Sequence, residues 1–136
     1  EMLTLKQLNL PVKIFVFNNE ELSFIAMEMK ASGYLDYATD FVNPDFGKLA
    51  EAAGIKGVSI QNSSEVDEKI MEALNHNGPV IVNVRVDKQE LAMPPKIAYQ
   101  QAKGFSKYLI NAILDGRGTE LKEMAKTNWM KYKSLY

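Results

Sequence analysis

The polar run Asn18-Asn19-Glu20-Glu21 directly follows the predicted strand at residues 12–17 and is the densest polar cluster after a buried strand. Ligands of open α/β sheets bind beyond the carboxyl ends of the strands, which is where this run falls. An asparagine side chain offers a neutral carbonyl oxygen, which suits a hard cation such as Mg²⁺ that also holds substrate phosphates. Strand ends rich in asparagine are also ordinary turns, so these residues alone leave a metal site and a plain turn both open.

Other candidate groups give weaker signals. His76 is the only histidine and lies near a predicted helix end, so we interpret it as a surface cap and not as a metal ligand. Glu20 and Glu21 are adjacent and point in different directions, so they do not predict an acid–base pair. Glu28 lies on the next predicted helix, where its local surroundings resemble those of any solvated glutamate. The chain has no glycine-rich phosphate loop of the two standard patterns.

Apolar periodicity predicts the elements that position the polar run. The predicted strands are 12–17, 58–60 and 80–86, and the predicted helices are 2–8, 22–30, 44–53, 63–76, 102–113 and 119–136. We expect Asn43 to cap the third helix with Pro44 at its first position, and Asn62 and Glu65 have the spacing of a capping box. Alternating strands and helices indicate an α/β sheet with parallel strands, followed by an extended linker at residues 91–95.

Composition excludes several classes of protein. The chain has 136 residues, of which 46% are hydrophobic, and this suits one soluble globular domain. A net charge of −1 argues against a general nucleic-acid binder, and the absence of cysteine excludes disulfides, thiolate metal sites and a cysteine nucleophile. No window reaches the roughly 18 apolar residues of a membrane-spanning helix. The first residue is Glu1 and not methionine, which indicates a fragment of a longer chain.

The last twenty residues predict an amphipathic helix. Its apolar residues fall within an arc of roughly 140° and are Leu121, Met124, Ala125, Trp129, Tyr132, Leu135 and Tyr136. From Arg117 onward five basic and two acidic residues give a charge of +3, so the remainder carries −4. Tryptophan, tyrosine and basic flanks are typical of a helix at a membrane surface. A terminal helix packed on its own protein fits the same pattern, so both interpretations stay open here.

Several segments together carry a family resemblance. They are residues 10–14, 16–19, 24–31, 43–55, 78–80, 94–95, 101–106, 116–118 and 125–129. Through them the sequence resembles the C-terminal part of the bacterial pyruvate oxidases that depend on thiamine diphosphate, in their quinone-linked and lipid-activated form. The likeness covers nearly the whole chain. The asparagine pair is shared by many thiamine enzymes, whereas the segments after Leu91 point to this oxidase family.

The resemblance implies a fold and a set of site residues. The fold is α/β, a partial doubly wound parallel sheet flanked by helices, with a C-terminal helical extension. Residues 1–90 would form the C-terminal half of the domain that binds thiamine diphosphate, and residues 91–136 a linker and a helical tail. Asn19 through its side chain and Glu21 through its backbone carbonyl would ligate Mg²⁺, which bridges the cofactor diphosphate. Phe24, Ile25 and Glu28 would line the pocket beside the thiazolium and toward a flavin.

The resemblance also implies an activity for a longer parent protein. That enzyme would convert pyruvate to acetate and CO₂ and pass electrons through FAD, bound mainly by a domain outside this chain, to quinone. We expect a homo-oligomer, most simply a tetramer, that is cytoplasmic and peripheral at the inner face of the cell membrane. Lipid would bind the tail through Leu121, Lys122, Met124, Lys126, Trp129 and Tyr132. No nucleic-acid partner is expected.

The sequence departs from the family in two respects. The family's Gly-Asp-Gly turn, its flavin-binding domain and its N-terminal domain are not in this sequence, so we expect the fragment alone to be inactive. Glu20 and Glu21 stand where relatives favour small or neutral residues, and their charges are unfavourable near a diphosphate unless they point to solvent. Two alternatives remain: a related thiamine enzyme such as acetolactate synthase or a 2-oxoacid decarboxylase, and a non-enzymatic α/β module that binds a partner or a membrane through its tail.

Overall fold

The computed structural model describes residues 1–90 and 98–134, with the side chains described to residue 130. The elements are α1 (Met2–Gln7), β1 (Lys13–Asn18), α2 (Ser23–Ala31), α3 (Phe46–Ala52), β2 (Lys56–Ile60), a 3₁₀ turn (Ser63–Glu65), α4 (Val66–Asn75), β3 (Val80–Arg85), α5 (Tyr99–Leu114) and α6 (Gly118–Ser134). The predicted linker at 91–95 lies outside the described residues.

The chain forms two compact units, each made from two stretches of sequence. The first contains Glu1–Asn19 and Val42–Val86, and the second contains Glu20–Phe41 and Asp87–Tyr136. The predicted division at residue 90 placed α2 with the sheet, whereas by its contacts α2 belongs with the C-terminal helices. The family boundary at residue 90 stays a prediction.

The first unit contains a three-stranded parallel sheet in the order β1-β3-β2. Its central strand is covered on both faces, because Val80 and Val82 pack toward α4 whereas Ile81 packs with residues of α1 and α3. Successive side chains of a strand point to opposite faces, so a strand buried on both sides is apolar throughout. Asn83 interrupts that apolar run and is 3% exposed. The predicted α/β fold with parallel strands is confirmed.

The start of α3 differs from the prediction. Asp45, and not Asn43, caps this helix: its Oδ1 accepts hydrogen bonds from the backbone N–H of Gly47 (2.9 Å) and of Lys48 (3.2 Å). The same oxygen accepts a bond from Ser59 Oγ of β2 at 2.5 Å. A carboxylate also interacts favourably with the positive end of the helix dipole, so it is the better cap of the two. Asn43 is therefore available for another contact.

The capping box at the start of α4 is confirmed. Glu65 Oε2 accepts hydrogen bonds from the backbone N–H groups of Gln61 (3.0 Å) and Asn62 (3.1 Å). A single 3₁₀ turn intervenes before the α-helix begins at Val66. At the other end of this helix, Lys13 Nζ donates to the carbonyls of His76 and Gly78, so a lysine of β1 satisfies groups at the helix terminus.

The second unit is built on helices α2, α5 and α6. Its buried core contains Tyr108, Ala112 and Met124, with Leu35, Phe105, Leu109 and Leu121 packed against it. A side chain at Gly104 of α5 would collide with the backbone carbonyl of Ala31, so the two helices approach closely at that glycine. Within the described part of the chain, no helix is long and apolar enough to cross a membrane.

Candidate functional site

Asn18 ends β1 in the first unit and is fixed from three directions. Its Nδ2 donates to Oδ1 of Asn83 on β3 at 3.2 Å, and its own Oδ1 accepts from Asn43 Nδ2 at 2.9 Å. Its backbone carbonyl accepts from the N–H of Val86 at 3.1 Å. Asn18 is 4% exposed, so these bonds satisfy a side chain that water barely reaches. They form a chain of three neutral amides at the carboxyl edge of the sheet, with Asn18 and Asn83 buried and Asn43 half-buried, which we call the amide chain (Asn43, Asn18 and Asn83).

Asn19, the predicted Mg²⁺ ligand, follows at once and is the last residue of the first unit. Its side chain is half-buried. Glu20 then adopts a left-handed conformation with φ of 56°. This conformation costs an L-residue roughly 1 kcal/mol or more, and such strained residues concentrate at binding sites. The backbone therefore turns sharply straight after the candidate ligand.

Glu21, the other predicted Mg²⁺ ligand, belongs to the second unit and is described there. It forms an isolated antiparallel bridge with Asp40. The bridge consists of the Leu22 N–H donating to the Thr39 carbonyl and the Phe41 N–H donating to the Glu20 carbonyl, both at 2.8 Å. These bonds fix the backbone on both sides of the Glu21 carbonyl.

The carboxyl of Glu21 is half-buried. Burial raises its pKa above the usual range, and the positive charge of Lys30 opposes this effect. The neutral acid is therefore favoured more than in a solvated glutamate, which reduces the negative charge that the sequence places near a diphosphate.

The three predicted pocket residues lie together on one face of α2. Phe24, Ile25 and Glu28 are all exposed, and the phenylalanine side chain is 77% exposed. The opposite face of the helix is buried at Ala26 and Lys30. An exposed aromatic and an exposed aliphatic side chain beside a single carboxylate suit the wall of a pocket that other groups complete.

A cluster of four charges fixes α2 from its buried side, and sequence reasoning missed it. Lys30 is 4% exposed and lies 3.7 Å from Asp36 and 3.8 Å from Glu120. Arg117 pairs with the same two carboxylates, at 2.7 Å and 3.7 Å. The Tyr108 ring lies under Lys30 Nζ, with its centroid 5.6 Å away. We call the four charged residues Lys30, Asp36, Arg117 and Glu120 the charge cluster. The sequence did contain a signal for this cluster. Lys30 follows Ala26 by four residues, which places a lysine on the apolar face of the predicted helix, where a charge needs a partner.

The tail helix α6 packs on its own unit along part of its predicted lipid face. Met124 is 4% exposed in the core and Leu121 is half-buried against it. Lys122, Lys126 and Trp129 are exposed, the tryptophan by 72%. The side chain of Tyr132 lies outside the described residues, as do Leu135 and Tyr136. Membrane binding stays a prediction, and two of its six residues are engaged in the protein core.

Two polar side chains of α6 also hold the segment that follows β3. Thr127 Oγ1 donates to Asp87 Oδ2 at 2.8 Å, and Asn128 Nδ2 donates to the Gln89 carbonyl at 3.0 Å. Gln89 lines a small cleft of the second unit together with Glu21 and Lys30. The helix therefore supports a wall of the cleft beside a candidate ligand.

The donor set fits Mg²⁺ bound together with a phosphorylated cofactor. In the part of the chain that the structure describes, no group of three or more histidine, aspartate or glutamate side chains could hold a metal ion. A side-chain amide oxygen at Asn19 and a backbone carbonyl at Glu21 are hard oxygen ligands, and Mg²⁺ commonly combines one or two protein ligands with phosphates and water. Such a site needs no carboxylate cluster.

Ligands of open α/β sheets bind beyond the carboxyl ends of the strands, which is the edge where Asn18 and Asn19 lie. Residues 1–84 match the family described as "Thiamine pyrophosphate enzyme, C-terminal TPP binding domain", and the chain belongs to this family. The matched region includes Asn19, Glu21 and α2. Thiamine diphosphate is thus the cofactor of the family in which this fold and these residues occur.

Individual relatives extend the comparison. The protein named "Putative thiamine pyrophosphate-containing protein YdaP" of Bacillus subtilis (strain 168) is 36% identical over 118 residues, which are 87% of this chain and 20% of the relative. The mitochondrial acetolactate synthase catalytic subunit of Saccharomyces cerevisiae is 38% identical over 95 residues, 69% of this chain and 14% of the relative. The isozyme 2 large subunit of acetolactate synthase from Escherichia coli (strain K12) is 31% identical over 96 residues, which are 69% of this chain and 18% of the relative. The chain thus spans a fifth or less of the length of these relatives.

Proposed function

We propose that this chain is the cofactor-binding end of a thiamine diphosphate enzyme that oxidatively decarboxylates pyruvate. The observation that carries the thiamine diphosphate part of this proposal is the asparagine pair at the carboxyl edge of the sheet, in a chain that belongs to the thiamine pyrophosphate family. In this proposal Asn19 Oδ1 and the Glu21 carbonyl would hold Mg²⁺, and the ion would supply positive charge for the cofactor diphosphate. The cofactor, when bound, supplies the electron sink that allows a 2-oxo acid to lose CO₂.

The side chains of α2 have a separate role in this proposal. Phe24 and Ile25 present apolar surface that excludes water from the reacting groups, and the Glu28 carboxylate is the polar group on the same face. Excluding water strengthens electrostatic interactions in the site and suppresses side reactions. The charge cluster holds this face in place from the opposite side of the helix.

The overall reaction is balanced with water as a reactant. Pyruvate and water give acetate and CO₂ and release two electrons and two protons, which FAD accepts and quinone finally takes up. The support for an oxidase is the resemblance of the segments after Leu91. The match to YdaP, whose name states no reaction, extends over 87% of the chain and supports a thiamine enzyme in general.

An acetolactate synthase activity is supported about as well as the pyruvate oxidase activity. Two relatives with that name are 38% and 31% identical, although their matches cover 69% of this chain. A carboligase would use the same Mg²⁺ ligands and the same face of α2. It would release CO₂ from one pyruvate and join the remaining two-carbon unit to a second 2-oxo acid, and it would pass no electrons to quinone.

Product analysis distinguishes the two activities. The full-length protein that contains this chain is incubated with pyruvate, Mg²⁺, thiamine diphosphate, FAD and a soluble quinone. We expect acetate, CO₂ and quinol in equal amounts, all abolished by Asn19→Ala. Acetolactate without quinone reduction would overturn the oxidase in favour of the carboligase.

The membrane role of α6 is part of the same proposal. Exposed Lys122, Lys126 and Trp129 supply cations and an aromatic ring, and the segment from Arg117 onward carries +3. Such a face suits anionic lipid at the inner surface of a cell membrane, with the enzyme as a cytoplasmic homo-oligomer, most simply a tetramer. The test is sedimentation of the full-length enzyme with vesicles of phosphatidylglycerol and phosphatidylcholine. Trp129→Ala with Lys126→Glu should lower binding, and Lys103→Glu on α5 is the control.

A further inference from the structure

Asn18 and Asn83 of the amide chain lie on a face of the sheet that is apolar toward the amino ends of its strands. Residues in register on parallel strands share a face, so Ile14, Val16 and Asn18 of β1 lie beside Ile81, Asn83 and Arg85 of β3. Ile81 and Val16 belong to the apolar cluster under α3. Toward the carboxyl edge the same face changes from hydrocarbon to amide. A buried amide in a central strand opposes stability unless it is paired, and Asn83 is paired with Asn18.

The hydrogen bonds of the amide chain run in one direction. Asn43 Nδ2 donates to Asn18 Oδ1, and Asn18 Nδ2 donates to Asn83 Oδ1, so Asn18 uses both its acceptor and its donor. A carboxamide both donates and accepts, which a carboxylate or an ammonium group cannot do. The chain is also uncharged. The amide chain therefore fixes Asn18 and adds no charge that would repel or displace a metal ion bound at Asn19.

Fixing Asn18 also orients Asn19. The Asn18 carbonyl and the Asn19 N–H share one rigid peptide plane, and the Val86 N–H fixes that carbonyl from β3. With the side chain of Asn18 bound at both ends, the backbone that enters Asn19 has little freedom. The sharp turn at Glu20 follows directly.

We infer that Asn83 and Asn43 are positioning residues that act through Asn18 to aim the Asn19 side chain at Mg²⁺. This inference rests on the proposed function, because it presupposes that Asn19 binds the metal. It adds two residues, 40 positions apart in sequence, to the apparatus that prepares the metal site. Partners that orient a metal ligand typically change metal affinity by 10- to 100-fold when they are replaced.

The test measures metal binding directly in the full-length protein. Mn²⁺ replaces Mg²⁺ as a spectroscopic probe, and its affinity is measured by electron paramagnetic resonance in the presence of thiamine diphosphate. Asn83→Leu removes the acceptor that Asn18 uses, and Asn43→Asp replaces the donor by a group of the same size that only accepts. We expect each to weaken Mn²⁺ binding about tenfold or more. Turnover at saturating Mg²⁺ should change much less than affinity.

Two further variants separate positioning from folding. Asn43→Gln keeps the donor and should restore most of the affinity that Asn43→Asp loses. Val82→Ala destabilises the same strand without touching the amide chain, and it should leave Mn²⁺ affinity within about twofold of wild type. Asn43 is half-buried and lies outside the strands, so Asn43→Asp should disturb folding less than Asn83→Leu does. If Asn83→Leu does not fold, Asn43→Asp still tests the inference.

The outcomes distinguish this inference from the proposed function. Equal Mn²⁺ affinity in Asn83→Leu, Asn43→Asp and Val82→Ala would overturn the inference. If Asn19→Ala alone weakens binding, the proposed function stands and the inference is wrong. If the wild-type protein binds no Mn²⁺ with thiamine diphosphate, the proposed function is wrong and the inference with it.

Discussion

The two units stabilise their candidate site residues with opposite chemistry. In the first unit Asn18 belongs to a chain of neutral amides that precedes Asn19, whereas in the second unit α2 is fixed by a cluster of four charges that includes Lys30. Amides next to a candidate metal ligand add no net charge to the proposed site. The charge cluster pairs two cations with two anions, so it is also neutral overall, but each pair depends on both partners. The first arrangement should therefore resist changes of salt and pH better than the second.

Removal of Lys30 should give the largest effect. Lys30→Met leaves the partly buried carboxylates of Asp36 and Glu120 with one cation in place of two, so we expect the free energy of unfolding to fall by about 4 kcal/mol. Hydrogen exchange should rise in α2 and α6. Urea unfolding and amide exchange of the chain measure this. Lys103→Met on the exposed side of α5 is the control, and an equal loss there would show that the buried pairing contributes nothing.

Shortening Met124 should have the next largest effect. Met124→Ala opens a cavity in the core of the second unit and should lower the free energy of unfolding by about 3 kcal/mol. Trp129→Ala on the exposed side of the same helix should change it by less than about 0.5 kcal/mol. Urea unfolding of the two variants compares them. Similar losses would contradict the finding that α6 packs through Met124.

The cap of α3 should have an intermediate effect that depends on pH. Asp45→Ala removes the cap and should cost about 1 kcal/mol at pH 7. Burial alone would raise the pKa of Asp45, but bonds from Ser59 and from the backbone of Lys48 and Gly47 outweigh it and lower the pKa. Its contribution is thus complete above the ordinary carboxyl range and is lost as the pH falls through the lowered pKa. Urea unfolding of both proteins at pH 7 and pH 3 should show the gap closing in acid, and a constant gap would refute this account.

Glu21 should show the smallest effect, with the opposite sign. Because burial raises its pKa, its contribution favours folding at low pH and declines as the pH rises through the folded-state value. Glu21→Gln should therefore be neutral or slightly stabilising at pH 7, by less than about 1 kcal/mol, since solvent screens a half-exposed group. The midpoint of thermal unfolding between pH 4 and 7 records this. A mutant that is clearly less stable at pH 7 would contradict it.

Local patterns predicted most of the elements. The strand predicted at residues 80–86 is β3 at Val80–Arg85, and the helix predicted at 22–30 is α2 at Ser23–Ala31. These follow from periodicity and turn residues, which are local signals. The resemblance selected Phe24, Ile25 and Glu28, and the structure places them on one face, although their role stays a prediction.

Contacts between residues that are far apart in the sequence could not be predicted from such local patterns. The Asn18–Asn83 bond joins residues 65 positions apart, and Arg117 reaches Asp36 across 81 positions. The expectation that Asn43 caps α3 was wrong because two capable residues stood close together, and only the fold assigns Asp45 to the helix and Asn43 to Asn18. The interruption of the apolar run by Asn83 was the available signal. A polar residue inside the most strand-like segment calls for a partner.

The strand order has a consequence for handling the chain in the laboratory. Among the described residues, β1 and β2 each pair with β3 alone, so each has one side whose backbone N–H and C=O groups face no neighbouring strand of the sheet. Such edges are templates for strand addition between molecules. The chain expressed alone should therefore self-associate as its concentration rises, and a lysine at an outward position of β2 should raise the concentration that it tolerates.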